Sequence, residues 1–301
     1  MNYNAKNINP LEKMMPSDLI KENSLIFLIF DAQRRWLVQV RSGESFHTHR
    51  GIIDYDDIIG KPYGSCVFSK PYESQGYKFF VVKPLPSDYV LHMGRKTQII
   101  YPEDAGLILL YTGIGPGCKV FEAGTGSGAL TCILGNYVWP NGHIFSYDIR
   151  EKSLKRAEKN IQRANLNSVV SIQYGNILTD DIQHANLDAV VLDLPSPWEA
   201  IKKVKEFLKY GGSLASFSPT IEQVKKTTFA LIEKDFIEVN SYELIKRKLQ
   251  IKENATRPEG RMIGHSGYLT FGRKIQNIEN PYRSKKPKHN EVIDLNGMPL
   301  R

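Results

Sequence analysis

The sequence predicts an α/β protein: a mostly parallel sheet with helices on both faces, preceded by a small β-domain. Three observations carry this. From Lys119 onward, short apolar runs alternate with amphipathic segments at the helical period, the pattern of repeated strand–helix–strand units. The stretch Val120-Phe121-Glu122-Ala123-Gly124-Thr125-Gly126-Ser127-Gly128-Ala129-Leu130 joins an apolar run to a helical segment through three alternating glycines, a tight strand-to-helix turn. Residues 19–84 instead hold short apolar runs punctuated by glycines, with no long helical pattern, which reads as a barrel-like or curled sheet.

In chain order, residues 1–18 are polar and irregular. Leu25–Phe30 and Trp36–Val40 flank the turn Asp31-Ala32-Gln33-Arg34 and suggest a hairpin; Ser65–Phe68 and Tyr77–Val82 suggest two more strands. Lys83-Pro84-Leu85-Pro86 marks a boundary. Residues 85–118 are expected to be a linker, running from Asp88 to Arg95, and a helix over Ala105–Thr112. Residues 119–274 form the α/β domain. Its strands are expected at Lys119–Ala123, His143–Asp148, Val169–Tyr174, Leu187–Leu194 and Ser213–Phe217, with late candidates at Ile237–Ile245 and Tyr268–Arg273. Helices are expected at Ser127–Tyr137, Glu151–Asn165, Trp198–Leu208 and Ile221–Lys234. The run Leu187–Leu194 is apolar nearly throughout, as buried parallel strands are. Residues 275–301 form a basic tail, read as a solvated segment or as a phosphate-contacting arm.

The bulk numbers bound the function. Hydrophobic residues make up 41% of the 301 and charged residues 24%, which excludes global disorder. Forty Lys+Arg against 32 Asp+Glu leave a net charge of +8, which serves solubility or a polyanionic partner. The three cysteines, Cys66, Cys118 and Cys132, form no C-x-x-C. Neither a zinc site nor a disulfide framework is expected, and a reducing cytoplasm fits. The longest apolar run, Leu25–Phe30, is strand-sized, far short of the roughly 20 residues of a membrane span. A soluble cytoplasmic protein without a signal peptide is the expectation.

The glycine stretch is Glu-x-Gly-x-Gly-x-Gly, not G-x-G-x-x-G, and by itself marks only a nucleotide-type loop or a structural turn. The next strand ends at Tyr147-Asp148, where a carboxylate can accept two hydrogen bonds from a ribose diol. NAD and S-adenosylmethionine sites both use that device. No Walker Gly-Lys-Ser/Thr follows, nor a second phosphate-cradling loop. S-adenosyl-L-methionine, which has no phosphates, fits better. In Leu192-Asp193-Leu194-Pro195-Ser196-Pro197-Trp198, an acid ends a buried strand and two prolines stiffen its exit. Asp193 then reads as a positioned acceptor or base at the ligand edge of the sheet, or as a cap of the next helix.

Seven stretches resemble one family in that family's order: His47–Gly51, Ile58–Ser65, Gln98–Ala105, Glu122–Thr131, Ser146–Arg150, Leu192–Trp198, and Arg257-Pro258 with Gly264-His265-Ser266-Gly267-Tyr268-Leu269. The chain is similar over about residues 25–274 to the tRNA (adenine-N1)-methyltransferases of the T-loop, in their single-chain prokaryotic (TrmI-type) form. The glycine loop alone indicates only a methyltransferase; the Tyr-Pro-x-Asp, Asp-x-Pro-x-Pro-Trp and His-x-Gly-Tyr-Leu elements are specific. The resemblance implies a class I (Rossmann-like) S-adenosylmethionine-dependent methyltransferase sheet of seven strands with a small N-terminal β-domain. It also implies a tRNA substrate methylated at adenine 58, with 57 as a second position in archaeal members, and a homotetramer. The chain departs from the family pattern at Asp148, where Glu is frequent, and at Asn176, where an Asp usually meets the cofactor adenine. Glu103, Ser196 and Ser266 are further departures.

On this reading Glu122, Gly124, Thr125, Gly126, Ser127, Gly128, Ala129, Leu130, Asp148, Asn176 and Asp193 hold the cofactor. Asp193 is also the catalytic acceptor, facing the exocyclic amine of the target adenine as positive charge develops there. The target base must leave its stack, and Tyr101 is expected to hold it, unless that tyrosine is a core aromatic. His265 and Tyr268 line the same cleft or serve the start of a strand. Arg50, Lys61, Arg95, Lys96 and Arg257 are expected phosphate contacts. His47 and His49 lack a carboxylate or cysteine partner, so no metal is expected. Competing readings are a class I methyltransferase acting on another RNA or a small molecule, and a non-catalytic tRNA-binding subunit; the second would have lost the glycine loop and the acid.

Overall fold

A computed structural model describes residues 19–70, 76–93 and 99–276. The chain divides into two compact units, Met1–Met93 and Gly94–Arg301. In the first, β1 (Leu25–Ile29), β2 (Arg35–Gln39), β3 (Ser45–Thr48), β4 (Gly51–Asp54), β5 (Cys66–Phe68) and β6 (Lys78–Val82) are followed by α1 (Pro86–His92). An antiparallel sheet runs β2-β1-β6-β5, and β3 and β4 form a separate hairpin. Both wrap one core, in which Ile26 and Leu28 of β1 meet Ile53 of β4 and Phe79 and Val81 of β6.

The β1–β2 turn has a local cause. One carboxylate oxygen of Asp31 accepts the backbone N–H groups of Gln33 and Arg34 at 2.9 and 2.8 Å, closing an Asx turn. The Arg34 guanidinium, paired with the same carboxylate, holds the Asp31 pKa down at about 2. Residues 88–92 of the expected linker belong instead to α1. Pro86 suits the first helical turn, and the Asp88 carboxylate accepts the Leu85 N–H at 2.7 Å. Apolar spacing over seven residues is too short a signal to reveal such a helix.

The second unit holds α2 (Pro102–Thr112), β7 (Lys119–Ala123), α3 (Ala129–Val138), β8 (His143–Asp148), α4 (Glu151–Arg163), β9 (Val170–Tyr174), β10 (Leu187–Leu192), α5 (Pro197–Phe207), β11 (Leu208–Ser218), α6 (Ile221–Glu233), β12 (Phe236–Glu243), β13 (Leu249–Gln250), β14 (Arg257–Pro258) and β15 (Tyr268–Lys274). The seven-stranded sheet runs β12-β15-β11-β10-β7-β8-β9. The five strands from β11 to β9 are parallel, and β15 inserts antiparallel between β11 and β12. Phe121, Val190, Leu192 and Leu214 of the central strands join Ile201 and Val204 of α5 and Leu231 of α6 in one core. Burying one such side chain contributes about 1.5–3 kcal/mol.

Strand order positions the site. From β7 the chain moves outward through β8 and β9, then returns to lay β10 on the other side of β7. The carboxyl ends of β7 and β10 therefore flank a topological switch point, where the loops diverge and leave a crevice. The glycine loop follows β7 and Asp193 follows β10.

Candidate active site

At this crevice lies a cavity of about 670 Å³ lined by the loops after β7, β8, β9, β10 and β11. Its base is the glycine loop. Gly124 has φ +101°, and a Cβ there would lie 2.1 Å from the Asp193 carbonyl oxygen. Gly128 has φ +77°, and its Cβ would press on Ala157 of α4 at 3.0 Å. Only glycine satisfies both the left-handed conformation and the close approach. The Gly126 N–H donates to Asp148 at 2.8 Å, and Asn160 of α4 donates to the Ser127 carbonyl at 2.9 Å. Ala129 and Leu130 begin α3 and are buried.

Three carboxylates surround this loop. Glu122 is fully enclosed and accepts the hydroxyls of Thr131 and Ser146 on one oxygen, each at 2.6 Å. Its other oxygen is buried without a partner. Thr125 and Ser146 share a hydroxyl contact of 2.7 Å, extending the network into the loop. Desolvation raises the Glu122 pKa to about 7 against the two hydroxyl hydrogen bonds. Asp148, also buried, accepts from Gly126, from the Arg150 N–H at 2.9 Å, and from the Arg150 guanidinium at 3.1 and 3.2 Å.

Asp193 continues β10 by one residue: its N–H donates to the Ala123 carbonyl at 2.8 Å. Its side chain faces the cavity, where solvent reaches it between dense walls. Desolvation raises its pKa to about 6, opposed by the Arg150 guanidinium and assisted by Asp148. An acid so placed is ionised near neutrality and can accept a hydrogen bond from a group that gains positive charge.

Further parts of the cavity wall are built from Leu194, Pro195 and Ser196 before α5 and from Pro219 and Gln223 at the start of α6. Thr220 caps α6, with its hydroxyl and Gln223 forming a capping box. Trp198 and Lys226 tie α5 to α6, the ammonium lying 4.7 Å from the ring centroid.

Of the sequence-predicted residues, Gly124, Gly126, Asp148, Asn176 and Asp193 line the cavity. The Asn176 side-chain carbonyl accepts the Leu178 N–H at 3.0 Å, so it also closes a local turn. Tyr101 stands at the start of α2, where its carbonyl accepts the Ala105 N–H at 2.9 Å; it is not among the cavity-lining residues. His265 does not line the cavity either. It bridges Glu243 at 2.8 Å and the carbonyl of cavity-lining Pro219 at 3.2 Å, with Tyr268 packed on its ring at 4.7 Å. The two motifs Tyr101–Asp104 and His265–Tyr268 do meet: the Ser266 hydroxyl opposes the upward shift that burial imposes on Asp104. Arg257 is exposed in the β13–β14 hairpin. Lys61 belongs to the first unit, and Arg95 and Lys96 lie outside the described residues. His47 and His49 meet Ser45 and Arg34, at 3.1 and 3.3 Å.

Sequence reasoning missed Gln223, Arg150 and Tyr147 as cavity residues. Thr220-x-x-Gln223 was a visible capping-box signal, and Arg150 stood in a motif already singled out. Tyr147 stacks on Phe121 at 5.3 Å and meets His184 at 3.1 Å, contacts that no spacing announces.

Residues 77–257 match the family model described as the tRNA methyltransferase complex GCD14 subunit, and residues 29–67 match the TrmI-like N-terminal model. The tRNA (adenine(57)-N(1)/adenine(58)-N(1))-methyltransferase TrmI of Methanocaldococcus jannaschii is 35% identical over 82% of this chain and 93% of its own length. Two solved structures share the fold. One, described as a SAM-dependent O-methyltransferase from Thermotoga maritima, has a TM-score of 0.78 at 32% identity, covering 87% of this chain and 97% of that one. The tRNA (m1A58) methyltransferase TrmI from Aquifex aeolicus has a TM-score of 0.69 at 29% identity, covering 86% and 100%. With the switch-point loop, the paired acids and these matches in agreement over both units, the chain belongs to the TrmI/GCD14 family of tRNA (adenine-N1)-methyltransferases.

Proposed function

We propose that this enzyme uses S-adenosyl-L-methionine to methylate N1 of adenine in the T-loop of tRNA, at position 58 and, as in the archaeal relative, at 57. The observation that carries the reading is the placement of Asp193, packed by its own backbone against the glycine loop at the switch point.

The residues present suit the cofactor. Gly124 and Gly126 line the cavity without a side chain, Asp148 offers carboxylate oxygens at the ribose position, and one oxygen of Glu122 is buried without a partner. Asn176 and Ile149 line the same cavity, and the adenine of the cofactor is assigned to them on the family likeness. When bound, the cofactor supplies a methyl group already activated on a sulfonium.

Adenine N1 carries an in-plane lone pair and needs no prior deprotonation. Positive charge reaches the exocyclic amine as N1 is alkylated. The Asp193 carboxylate, ionised above about pH 6, strengthens its hydrogen bond to that amine in the transition state and then takes the surplus proton. Alignment contributes most, because the methyl donor needs no further activation. Tyr101, Tyr268 and the basic residues Lys61 and Arg257 are assigned to the substrate side on the family likeness. The same likeness supports a homotetramer acting in the cytoplasm, which sedimentation and cell fractionation test.

The decisive experiment incubates the protein with labelled S-adenosylmethionine and bulk tRNA, then digests and identifies the nucleoside. Labelled 1-methyladenosine is expected. Label on an oxygen, or none in RNA, would overturn the assignment in favour of a class I enzyme with another acceptor.

A further inference from the structure

We propose that Gln223 is a positioning residue for methyl transfer: its side-chain amide spans the cavity wall from the start of α6 to the Pro195 carbonyl and fixes the loop that carries Asp193. The inference rests on the proposed role of Asp193 and adds a residue to that machinery.

The Asp193 loop needs two anchors. The first is at Asp193 itself, whose N–H bonds Ala123 and whose carbonyl lies against Gly124. The second must lie further on, because Leu194 and Pro195 leave the sheet before α5 begins at Pro197. Pro195 has no N–H to donate, so its carbonyl is its one main-chain hydrogen-bonding group. Gln223 Nε2 donates to that carbonyl at 2.9 Å.

The opposite end of the same amide is fixed. Gln223 Oε1 accepts the Thr220 N–H at 3.1 Å and the Thr220 hydroxyl at 2.8 Å, and the Gln223 N–H donates back to the Thr220 hydroxyl oxygen at 3.3 Å. The preceding residue, Pro219, is held through its carbonyl by His265, which is held by Glu243 of β12. A continuous chain of hydrogen bonds therefore runs from the antiparallel edge of the sheet to the loop beside Asp193.

The residue type separates the two jobs. A capping box accepts Glu as readily as Gln, but only the amide carries a donor for Pro195. Gln223→Glu keeps the cap and removes the strut; Gln223→Ala removes both without adding charge. Each is compared with wild type in kcat and KM for bulk tRNA, Kd for S-adenosylmethionine, Tm, and amide hydrogen exchange at Asp193 and Glu199.

In both variants kcat is expected to fall about tenfold or more, with Kd and KM within about twofold and exchange accelerated at Asp193 and Glu199, whose N–H groups donate to Ala123 and Ser196. Tm should fall only in Gln223→Ala. Wild-type kcat in either variant, or unchanged exchange at both amides in Gln223→Glu, overturns the proposal. A wild-type protein that fails to methylate tRNA overturns the functional reading instead, and the exchange measurement still decides whether the strut holds the loop.

Discussion

Gly124 and Asp193 are in such close contact that a methyl group on the first would lie 2.1 Å from the carbonyl oxygen of the second. The two residues end neighbouring parallel strands, and their apposition joins the cofactor loop to the acid. Gly124→Ala combines this overlap with strain at φ +101°. It should destabilise the fold by roughly 2–4 kcal/mol and weaken S-adenosylmethionine binding at the same time. Thermal unfolding and a binding titration read the two effects; an unchanged Tm would contradict the contact.

Asp193 should control the pH dependence of the rate. Its carboxyl is held up at about 6 by desolvation, and the ionised form is the acceptor. Single-turnover methyl transfer should rise about tenfold per unit of pH below 6 and level off above it. Asp193→Asn should lose about 10²–10³-fold in rate, abolish that limb and leave cofactor affinity within a few-fold. A variant with full activity would remove the role assigned to Asp193.

Glu122 should make the fold less stable as pH rises. Its folded pKa is raised from 4.5 to about 7, so the neutral carboxyl is the favoured form. The stability linked to it is fully present below pH 4.5 and lost by about pH 7, a change of roughly 3 kcal/mol at about 1.4 kcal/mol per unit. Glu122→Gln keeps an acceptor for Thr131 and Ser146. Denaturant titrations at pH 4.5 and 8 should show the variant gaining on wild type at the higher pH.

His265 should titrate above its ordinary value. Its ring lies between a carboxylate and a carbonyl, so the cation, with two donors, satisfies both. The Glu243 hydrogen bond is the main cause of the raised pKa, followed by Pro219. The stability it lends the Pro219 turn is present below pH 6.5 and lost as pH climbs through the raised value. An NMR titration should place His265 above a free imidazole and show Glu243→Gln lowering it; no change in that variant would refute the pairing.

Much of this was legible because it is local. Alternating apolar runs fixed the parallel strands from Lys119 to Phe217, and turn chemistry marked the glycine loop. Carboxylates ending two of those strands, Asp148 and Asp193, had to emerge at the ligand edge of the sheet. The helix at Pro86–His92 escaped notice because seven residues give too few turns for a period to show.

By itself, the sequence determined the strand–helix alternation, the glycine turn and the three acids around it, since each depends on neighbours a few residues away. Tertiary structure alone decided that β10 returns beside β7, bringing Asp193 onto Gly124 from 69 positions along the chain. It also decided that β15 slips between β11 and β12, that Gln223 reaches back to Pro195, and that His265 turns to Pro219 rather than into the cavity. The physical reason is that local periodicity specifies which face of an element is buried. The order in which elements pack is set by the competition among non-local contacts, and the elevated pKa of Glu122 exists only once that packing has excluded water.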